Sequence, residues 1–531
     1  MTSIEERKLG LCERYSLSRS LISSEPAPII AFTFSHPSVL SSQSILSNLQ
    51  SATQTLVETH PVLFARFTDI HTLSPGLSRL KKISLEDVVV QVAESGSDTP
   101  EQDSFDSALV RMMTVDLQIE STVIPPWRII WTRLTPMTGK AEDGTKVVVG
   151  FKGHHSLFDG LSAWTVAHSF SQSLSTLTLR PSGQTVYPSS GHDDDNNNNN
   201  HPCLPPSLES LISTKPSVGK IARIVLQQIL RPLLPSPLGI LSRLGYRPVD
   251  QPSIWTGDRS SGQPHPRKKH VRTITLSPDT VRSIVCRSRK RGVTLTAFLH
   301  AALTEAIQTL DPERRPLRTM LPVNLRPILS PTSPGLGGAY VAGITYDVPS
   351  PGDTPSQSGP AERSSDLWER AVKFNKWSKD RAVWDDAISD WGLLSLVSGP
   401  KQPAPTSSAP PPTGMVSFLK AKTEEPREHS LELSNLGSVR LALGSLASTS
   451  VPAESASTNT EQARWEPSRL VFTQAPLPIS AALVLSVVGC EDLGGVEIAV
   501  GWEDGVVDRE YIQQFQTRLE TIVKRELEPI D

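Results

Sequence analysis

The chain has 531 residues, and its 52 lysines and arginines nearly balance 55 aspartates and glutamates, which gives a net charge of −3. This length exceeds that of one ordinary core, so two domains are expected, and the charge excludes the strongly basic surface typical of nucleic-acid binding. The four cysteines are far apart without metal-ligand spacing, which favours reduced thiols in a cytoplasmic protein. The charged N-terminus predicts no signal peptide, and no apolar run reaches the roughly 18 residues of a membrane span.

Apolar periodicity predicts the elements of the first half. Residues 29–34 form a strand, and residues 45–56 form a helix that ends near His60, because the residue before a proline is pushed out of the helical region. Further strands are predicted over 128–134 and 146–151. The first half is expected to end in linker beyond about residue 178, and the Asp- and Asn-rich segment 193–200 cannot bury enough surface to become ordered.

A bridge over residues 205–267 contains a helix-like apolar pattern that is interrupted by prolines. Two interpretations compete. The basic amphipathic stretch 218–245 could lie on a membrane or lipid droplet, or it could be a crossover helix that packs on both domains. The second interpretation is favoured because the prolines cut the apolar face short.

The second half repeats the strand and helix pattern of the first. Its predicted elements are a strand over 271–276, a helix from Pro278 to about Lys290, a helix opened by Thr294 or Thr296, strands over 317–323 and 339–348, a hairpin of strands 481–488 and 496–502, and a last helix from Asp508. Insertions at 401–413 and 446–461 are predicted to be disordered. The chain is therefore predicted to consist of α/β domains at 1–204 and 268–531, joined by the bridge.

One polar segment separates the strand over 146–151 from an amphipathic helix whose apolar residues run from Leu161 to Leu174. The segment reads HHSLFDG at residues 154–160 and lies at the carboxyl end of the strand. Rigid elements on both sides hold two histidines and a carboxylate within one turn. This arrangement predicts an active site.

A neutral imidazole, with an ordinary pKa of about 6.5, can take a proton from a hydroxyl or amine and return it to a leaving group. Adjacent side chains on an extended backbone point in opposite directions, so only one of His154 and His155 is expected to face a given cavity. Asp159 could orient the base, cap the helix that starts at Gly160, or pair with an arginine. Adjacent histidines do not supply the spaced ligands of a zinc site, so no metal is expected, and no G-x-S-x-G elbow supports serine hydrolysis.

The pattern H-H-x-x-x-D-G after a strand resembles the signature of the coenzyme A-dependent acyltransferase superfamily, which includes chloramphenicol acetyltransferase and the condensation domains of peptide synthetases. Other segments resemble landmarks of the fungal alcohol acetyltransferase family. These are LGLCERY at 9–15 with Arg19, HPVL at 60–63, VTLTAFLHAA at 293–302, PVNLR at 322–326 and SNLG at 434–437. The resemblance covers most of the chain, from about residue 8 to 525.

The resemblance implies two pseudo-symmetric domains of the chloramphenicol acetyltransferase type with a tunnel at their interface. It implies an acyl-CoA-dependent O-acyltransferase in which His155 deprotonates an alcohol as the alcohol attacks the thioester. Asp159 would be mainly structural and held by an arginine, for which Arg326 is the candidate and Arg66 a competitor. His154 is kept as a catalytic candidate, although a structural role is favoured for it.

Further contacts with the substrate or the oxyanion are expected from the residues that match the second-domain landmarks and from the glycine of the turn. The candidates are Gly160, Asn324, Arg326, Ser434 and Asn435. Ser434 and Asn435 are the candidates for donating a hydrogen bond to the oxyanion.

The expected partners are acetyl-CoA or another acyl-CoA as co-substrate and a small alcohol or secondary-metabolite acceptor, with no tightly bound cofactor and no nucleic acid. The plant-type segment DFGWG is absent, and no carrier-protein domain accompanies the chain. An N-acyltransferase, an enzyme that releases a carrier-bound acyl chain, and a non-catalytic binding protein on the same scaffold remain alternatives. The protein is expected to be a cytoplasmic monomer, and peripheral association with the endoplasmic reticulum or lipid droplets stays open.

Overall fold

A computed structural model represents the protein. It describes residues 6–25, 27–94, 100–134, 144–176, 185–188, 204–230, 254–257, 267–329, 337–351, 360–397, 414–441 and 464–528. The predicted low-complexity segment 193–200 and the insertions predicted to be disordered at 401–413 and 446–461 lie outside these residues.

The described residues form strands and helices in both halves of the chain. The strands are β1 (Glu6–Lys8), β2 (Pro28–His36), β3 (Ala65–Thr68), β4 (Gly76–Arg79), β5 (Ile83–Ser84), β6 (Val89–Gln91), β7 (Trp127–Arg133), β8 (Thr145–Gly153), β9 (Thr185–Val186), β10 (Lys269–Leu276), β11 (Leu317–Asn324), β12 (Val341–Val348), β13 (Leu431–Val439), β14 (Glu466–Gln474), β15 (Leu483–Cys490) and β16 (Val496–Glu503). The helices are α1 (Leu11–Ser20), α2 (Ser42–Thr59), α3 (Leu85–Val88), α4 (Glu101–Thr114), α5 (Gly160–Ser175), α6 (Leu208–Leu211), α7 (Val218–Leu230), α8 (Pro278–Lys290), α9 (Leu295–Leu310), α10 (Pro360–Ser378), α11 (Arg381–Leu393), α12 (Gly414–Glu424) and α13 (Arg509–Leu527).

The first large sheet has five strands in the order β14-β2-β8-β7-β6. Its central strand β8 is antiparallel to both β2 and β7. Both faces are buried, as the apolar run through residues 147–151 requires, because Phe32 and Val149 pack toward α2 and α5 while Ala31 and Val148 pack toward α4. The site-bearing strand β8 is therefore held rigidly between helical layers.

The second large sheet has six strands in the order β10-β16-β15-β13-β11-β12. The predicted hairpin is present as the antiparallel pair β15 and β16, whereas β13 runs parallel to both β11 and β15. Helices α9, α10 and α13 pack into the apolar core of this half. Both halves thus combine mixed sheets with helices, and the predicted α/β class is confirmed.

Side-chain caps begin the helices of the second half where the sequence predicts them. Ser277, which directly precedes Pro278, caps α8, because its hydroxyl accepts a hydrogen bond from the Thr280 amide. Asp508 caps α13, because its carboxylate accepts a hydrogen bond from the Tyr511 amide. Of the two threonines considered for α9, Thr294 is the cap, because its hydroxyl accepts from the Ala297 amide at 3.2 Å.

Residues of each half form contacts with the other half across the predicted domain boundaries. Strand β14 lies within the range 268–531 but pairs with β2 in the first sheet, with Leu470 opposite Phe32. In the other direction, the Asp106 carboxylate of α4 accepts hydrogen bonds from the Thr273 amide and hydroxyl in β10. The domain bounds 1–204 and 268–531 stay a prediction. The first sheet contains residues from both ranges, because β14 belongs to it.

The bridge contributes α7, whose first turn is anchored on the second half. The Lys220 ammonium lies 2.6 Å from the Asp390 carboxylate and 3.0 Å from that of Asp386, both in α11. This contact places the start of the helix on the second half. The crossover interpretation, in which the helix packs on both domains, stays a prediction, and residues 231–245 of the amphipathic stretch lie outside the described residues. Among the described helices, none combines the length and the apolar character that crossing a membrane requires.

The insertion of β14 into the first sheet predicts that its apolar side chains stabilise that sheet. Leu470 is buried there, so Leu470→Ala should lower the free energy of unfolding by about 3 kcal/mol through lost burial and a residual cavity. Urea denaturation measures this change. Glu466→Ala, at an exposed position of the same strand, is the matched control, and an equal effect of both substitutions would show that β14 does not stabilise the sheet.

Candidate active site

The segment HHSLFDG forms a buried turn between β8 and α5. The His154 amide donates to the Pro126 carbonyl, and the Leu157 and Phe158 amides donate back to the His154 carbonyl at 2.9 and 3.0 Å. The Ser156 hydroxyl donates to the Glu13 carbonyl of α1 at 2.7 Å. The turn is therefore fixed by its own backbone and by the N-terminal helix.

His154 points away from solvent into the protein. Its Nδ1 accepts a hydrogen bond from the Ser156 amide at 3.1 Å, so Nε2 carries the proton and donates to the Ser20 hydroxyl at 2.8 Å. The Phe67 ring packs edge-on against the imidazole. Burial, aided by the positive charges nearby, holds the pKa of His154 well below its usual value. Both ring nitrogens are thus engaged, as a structural histidine requires.

His155 points the other way and lines a cavity of about 770 Å³ between the two halves. Its Nδ1 is buried, and its only interaction is a weak one with the backbone of His155 itself. No other described residue hydrogen-bonds to the ring. Burial first, and then the positive charge of Arg19, lower the pKa of His155 to about 4, while Asp159 acts in the opposite direction. The imidazole is therefore neutral near neutral pH and free to accept a proton.

The buried carboxylate of Asp159 joins the two halves, and we call Asp159 with its hydrogen-bond partners the clamp. Its Oδ1 accepts from the Ser162 amide at 2.9 Å, which caps α5, and both carboxylate oxygens accept from the Arg326 guanidinium at 2.7 and 3.1 Å. The Tyr340 amide donates to Oδ2 at 3.0 Å. Arg326 is thus the arginine that holds Asp159, whereas Arg66 donates to the Phe67 carbonyl.

The segment SNLG lies at a bulge in β13, where the pairing with β15 shifts register and Gly437 adopts a φ of +80°. The Asn435 amide group donates to the Thr296 hydroxyl at 2.9 Å, and its oxygen accepts from the Gly437 amide at 2.7 Å. The Ser434 hydroxyl forms no hydrogen bond with a described residue and lines the cavity. Asn435 has already committed one of its two N–H donors and its oxygen to described residues, whereas the Ser434 hydroxyl has committed none.

The cavity brings together most of the residues singled out by the sequence. Its wall contains His155, Asp159, Gly160, Asn324, Arg326, Ser434 and Asn435. His154 is not part of the wall. Asn324 supports the clamp, because its side-chain oxygen accepts from the Arg326 amide at 3.1 Å and from its guanidinium at 3.3 Å.

Sequence reasoning missed the contribution of α1 to this wall. Cys12, Tyr15, Ser16 and Arg19 all line the cavity. Their spacing of three, four and seven residues is that of one helix face, which was the available signal. Glu432 and His429 were also missed, because nothing in their local sequence indicates that they meet residues far away in the chain.

Comparison with known proteins agrees with this geometry. Residues 42–332 match the family model described as Alcohol acetyltransferase. No curated protein matches the sequence significantly.

Solved structures show the same fold at low sequence identity. The TRI3 trichothecene 15-O-acetyltransferase from Fusarium sporotrichioides has a TM-score of 0.64 and 12% identity, over 98% of this chain and 95% of that chain. The condensation domain of the Monacolin K polyketide synthase MokA has a TM-score of 0.55 and 12% identity, over 99% of both chains. The EpoB cyclization-docking bidomain from Sorangium cellulosum has a TM-score of 0.53 and 12% identity, over 99% of this chain and 86% of that chain. The fold is therefore the two-lobed fold of condensation domains and chloramphenicol acetyltransferase.

The clamp predicts a large stability difference between two helix-capping aspartates. Asp159→Ala leaves the Ser162 and Tyr340 amides and the Arg326 guanidinium without their acceptor, so the free energy of unfolding should fall by about 3 kcal/mol. Asp508→Ala removes only an exposed cap and should cost about 1 kcal/mol. Urea denaturation compares the two variants, and similar losses would contradict the role of Asp159 as a clamp.

Proposed function

Because the chain belongs to the alcohol acetyltransferase family and is an acyltransferase, we propose that it transfers an acyl group from an acyl-CoA to the hydroxyl of an alcohol, with His155 as the general base. Acetyl-CoA is the simplest donor. One observation carries the proposal: His155 is neutral, faces the cavity between the halves, and has an Nε2 that no described residue occupies.

The proposed chemistry needs one imidazole. Nε2 of His155 takes the hydroxyl proton while the alcohol oxygen attacks the thioester carbonyl carbon, which forms a tetrahedral intermediate. The intermediate then collapses, the carbon–sulfur bond breaks, and the imidazolium returns the proton to the CoA sulfur. The products are an ester and free CoA. Burial disfavours the charged imidazolium, which favours rapid return of the proton.

Two further groups support the reaction in this proposal. The Ser434 hydroxyl would donate to the oxyanion of the intermediate, because it lines the same cavity and has no other described partner. Asp159 would act as a positioning residue, since its carboxylate fixes the turn and is already occupied by Arg326, Ser162 and Tyr340. This arrangement favours a structural role for Asp159 over proton transfer.

The size and charge of the cavity support an acyl-CoA donor. A volume of about 770 Å³ lies in the range of small-molecule sites and leaves room for the reactive arm of CoA together with an acceptor. A second hollow of about 350 Å³ shares Pro478 with it and is lined by three cationic residues and one carboxylate, namely Arg267, Lys269, Lys420 and Glu503. Such cations suit the phosphates of CoA.

The proposal predicts that His155→Ala lowers the rate of CoA release by about 10²–10⁴-fold, since a positioned base contributes that much. Release of the free thiol from acetyl-CoA in the presence of a panel of alcohols and amines measures this rate. His429→Ala, which changes another histidine of the cavity wall, is the matched control and should cost much less. Equal rates for the wild-type protein and His155→Ala would refute the general-base assignment.

The same panel separates the alternatives. Transfer to amines but not to alcohols would indicate an N-acyltransferase, and transfer from an acyl carrier protein but not from acyl-CoA would indicate a chain-release enzyme. Saturable acyl-CoA binding without any transfer would indicate a non-catalytic binding protein.

The lowered pKa of His155 predicts an unusual pH profile. A general base must be neutral, so kcat/KM should fall as the pH drops through the folded-state pKa of about 4, rather than through the ordinary imidazole value of about 6.5. A pH series of kcat/KM, with circular dichroism at each pH to identify unfolding, checks this. An acidic limb centred at the ordinary imidazole value in folded protein would contradict the buried, neutral state.

A further inference from the structure

Arg19 lies in the cavity wall, and the proposed transfer chemistry gives it no contact with the substrates. Arg19 is the only charged member of the α1 face in the cavity, and its guanidinium lies 4.9 Å from the centre of the Tyr15 ring. Its Nε is buried without a hydrogen-bond partner. Within the described residues, Arg19 forms no ion pair. A cation in this position has capacity to bind a ligand atom.

A carboxyl and an amide lie in the same wall. Glu432 and Ser434 are two residues apart in β13, so both lie on its cavity face. The Gln474 amide donates a hydrogen bond to the Glu432 carboxyl oxygen at 2.6 Å. Glu432 and Gln474 are largely buried and line the cavity, so a molecule in the cavity is the partner available to their remaining hydrogen-bonding groups. Burial raises the pKa of Glu432, and the charge of Arg19 opposes this effect. We call Arg19, Glu432 and Gln474 the polar trio.

We propose that the polar trio recognises a second oxygen function of the acceptor, so that the preferred acceptor is a neutral diol or polyhydroxylated alcohol rather than a monoalcohol. The inference rests on the proposed function, because the acceptor must first be an alcohol. The trio offers both donors and acceptors to one ligand hydroxyl. A charged ligand group would meet both Arg19 and Glu432, so attraction to one is opposed by repulsion from the other. A neutral hydroxyl can hydrogen-bond to both without repulsion.

The surroundings sharpen this selectivity. The cavity wall also contains Trp391, Phe418, Leu419 and other apolar residues. An alkyl group placed against the trio would cover polar groups without offering hydrogen bonds. Sites built in this way reject the analogue that lacks the hydroxyl.

The test compares kcat/KM for a series of primary alcohols with that for matched terminal diols, with acetyl-CoA as donor. The wild-type protein should prefer at least one diol over its monoalcohol by about tenfold or more. The double variant Glu432→Leu/Gln474→Leu replaces both partners of the buried hydrogen bond, and Arg19→Met removes the cation. Each should lower the ratio of kcat/KM for the diol to that for its monoalcohol toward unity. This ratio is the readout, because Arg19→Met also removes a charge that lowers the pKa of His155 and so changes the rate with both alcohols.

Gln308→Leu is the matched control. Gln308 is 2% exposed against 5% for Gln474 and donates to the Pro349 carbonyl, but it does not line the cavity. It should leave the diol preference unchanged. Thermal melting of each variant reports its folding.

The outcomes separate the two proposals. Equal kcat/KM for diols and monoalcohols in the wild-type protein would overturn the role of the trio but leave the proposed function standing. A preference for hydroxy acids over diols would also overturn the role of the trio and leave the proposed function standing. So would a double variant that lowers kcat/KM for diols and for monoalcohols by the same factor. Absence of CoA release with every alcohol would contradict the proposed function and, with it, the inference.

Discussion

The geometry of the cavity depends on the hydrogen bonds that the buried carboxylate of Asp159 accepts from both halves. A buried charge is costly unless it is paired and fully hydrogen-bonded, and here amide groups from both halves and one guanidinium supply the partners. The same carboxylate caps α5, so the entry angle of that helix and the docking of the second half are set together. The shape of the turn, and with it the position of His155, therefore depends on both halves being folded.

Adjacent histidines in one turn have different environments. Both ring nitrogens of His154 form hydrogen bonds, one with the Ser156 amide and one with the Ser20 hydroxyl. The Nε2 atom of His155 has no described partner, and the residue lines the cavity. Both are kept neutral by burial, which lowers their pKa values. The protein thus uses one imidazole to hold the turn and leaves the other available for chemistry.

Local signals in the sequence were sufficient for the elements that carry the site. The strand before residue 154, the helix after Asp159 and the helix that starts at Pro278 follow from periodicity and short-range signals, whereas the choice between Thr294 and Thr296 as a cap required the structure. Site residues from the second half were identified only through the family resemblance. The pairing of β14 with β2 could not be predicted, because it joins residues more than 400 positions apart and depends on a sheet edge that no local pattern encodes. Helix α1 was missed because its face toward the cavity is polar, so it lacks the apolar stripe by which helices are recognised.

The insertion of β14 also has a consequence for biosynthesis. During translation, β2, β8 and β7 emerge early, but β2 keeps one edge unpaired until residues 466–474 have left the ribosome. A first sheet that assembles before β14 is made would present a long, apolar strand edge, which is a template for pairing with other chains. Cellular yield should therefore depend on chaperones that shield this edge and on the speed with which the last part of the chain is made.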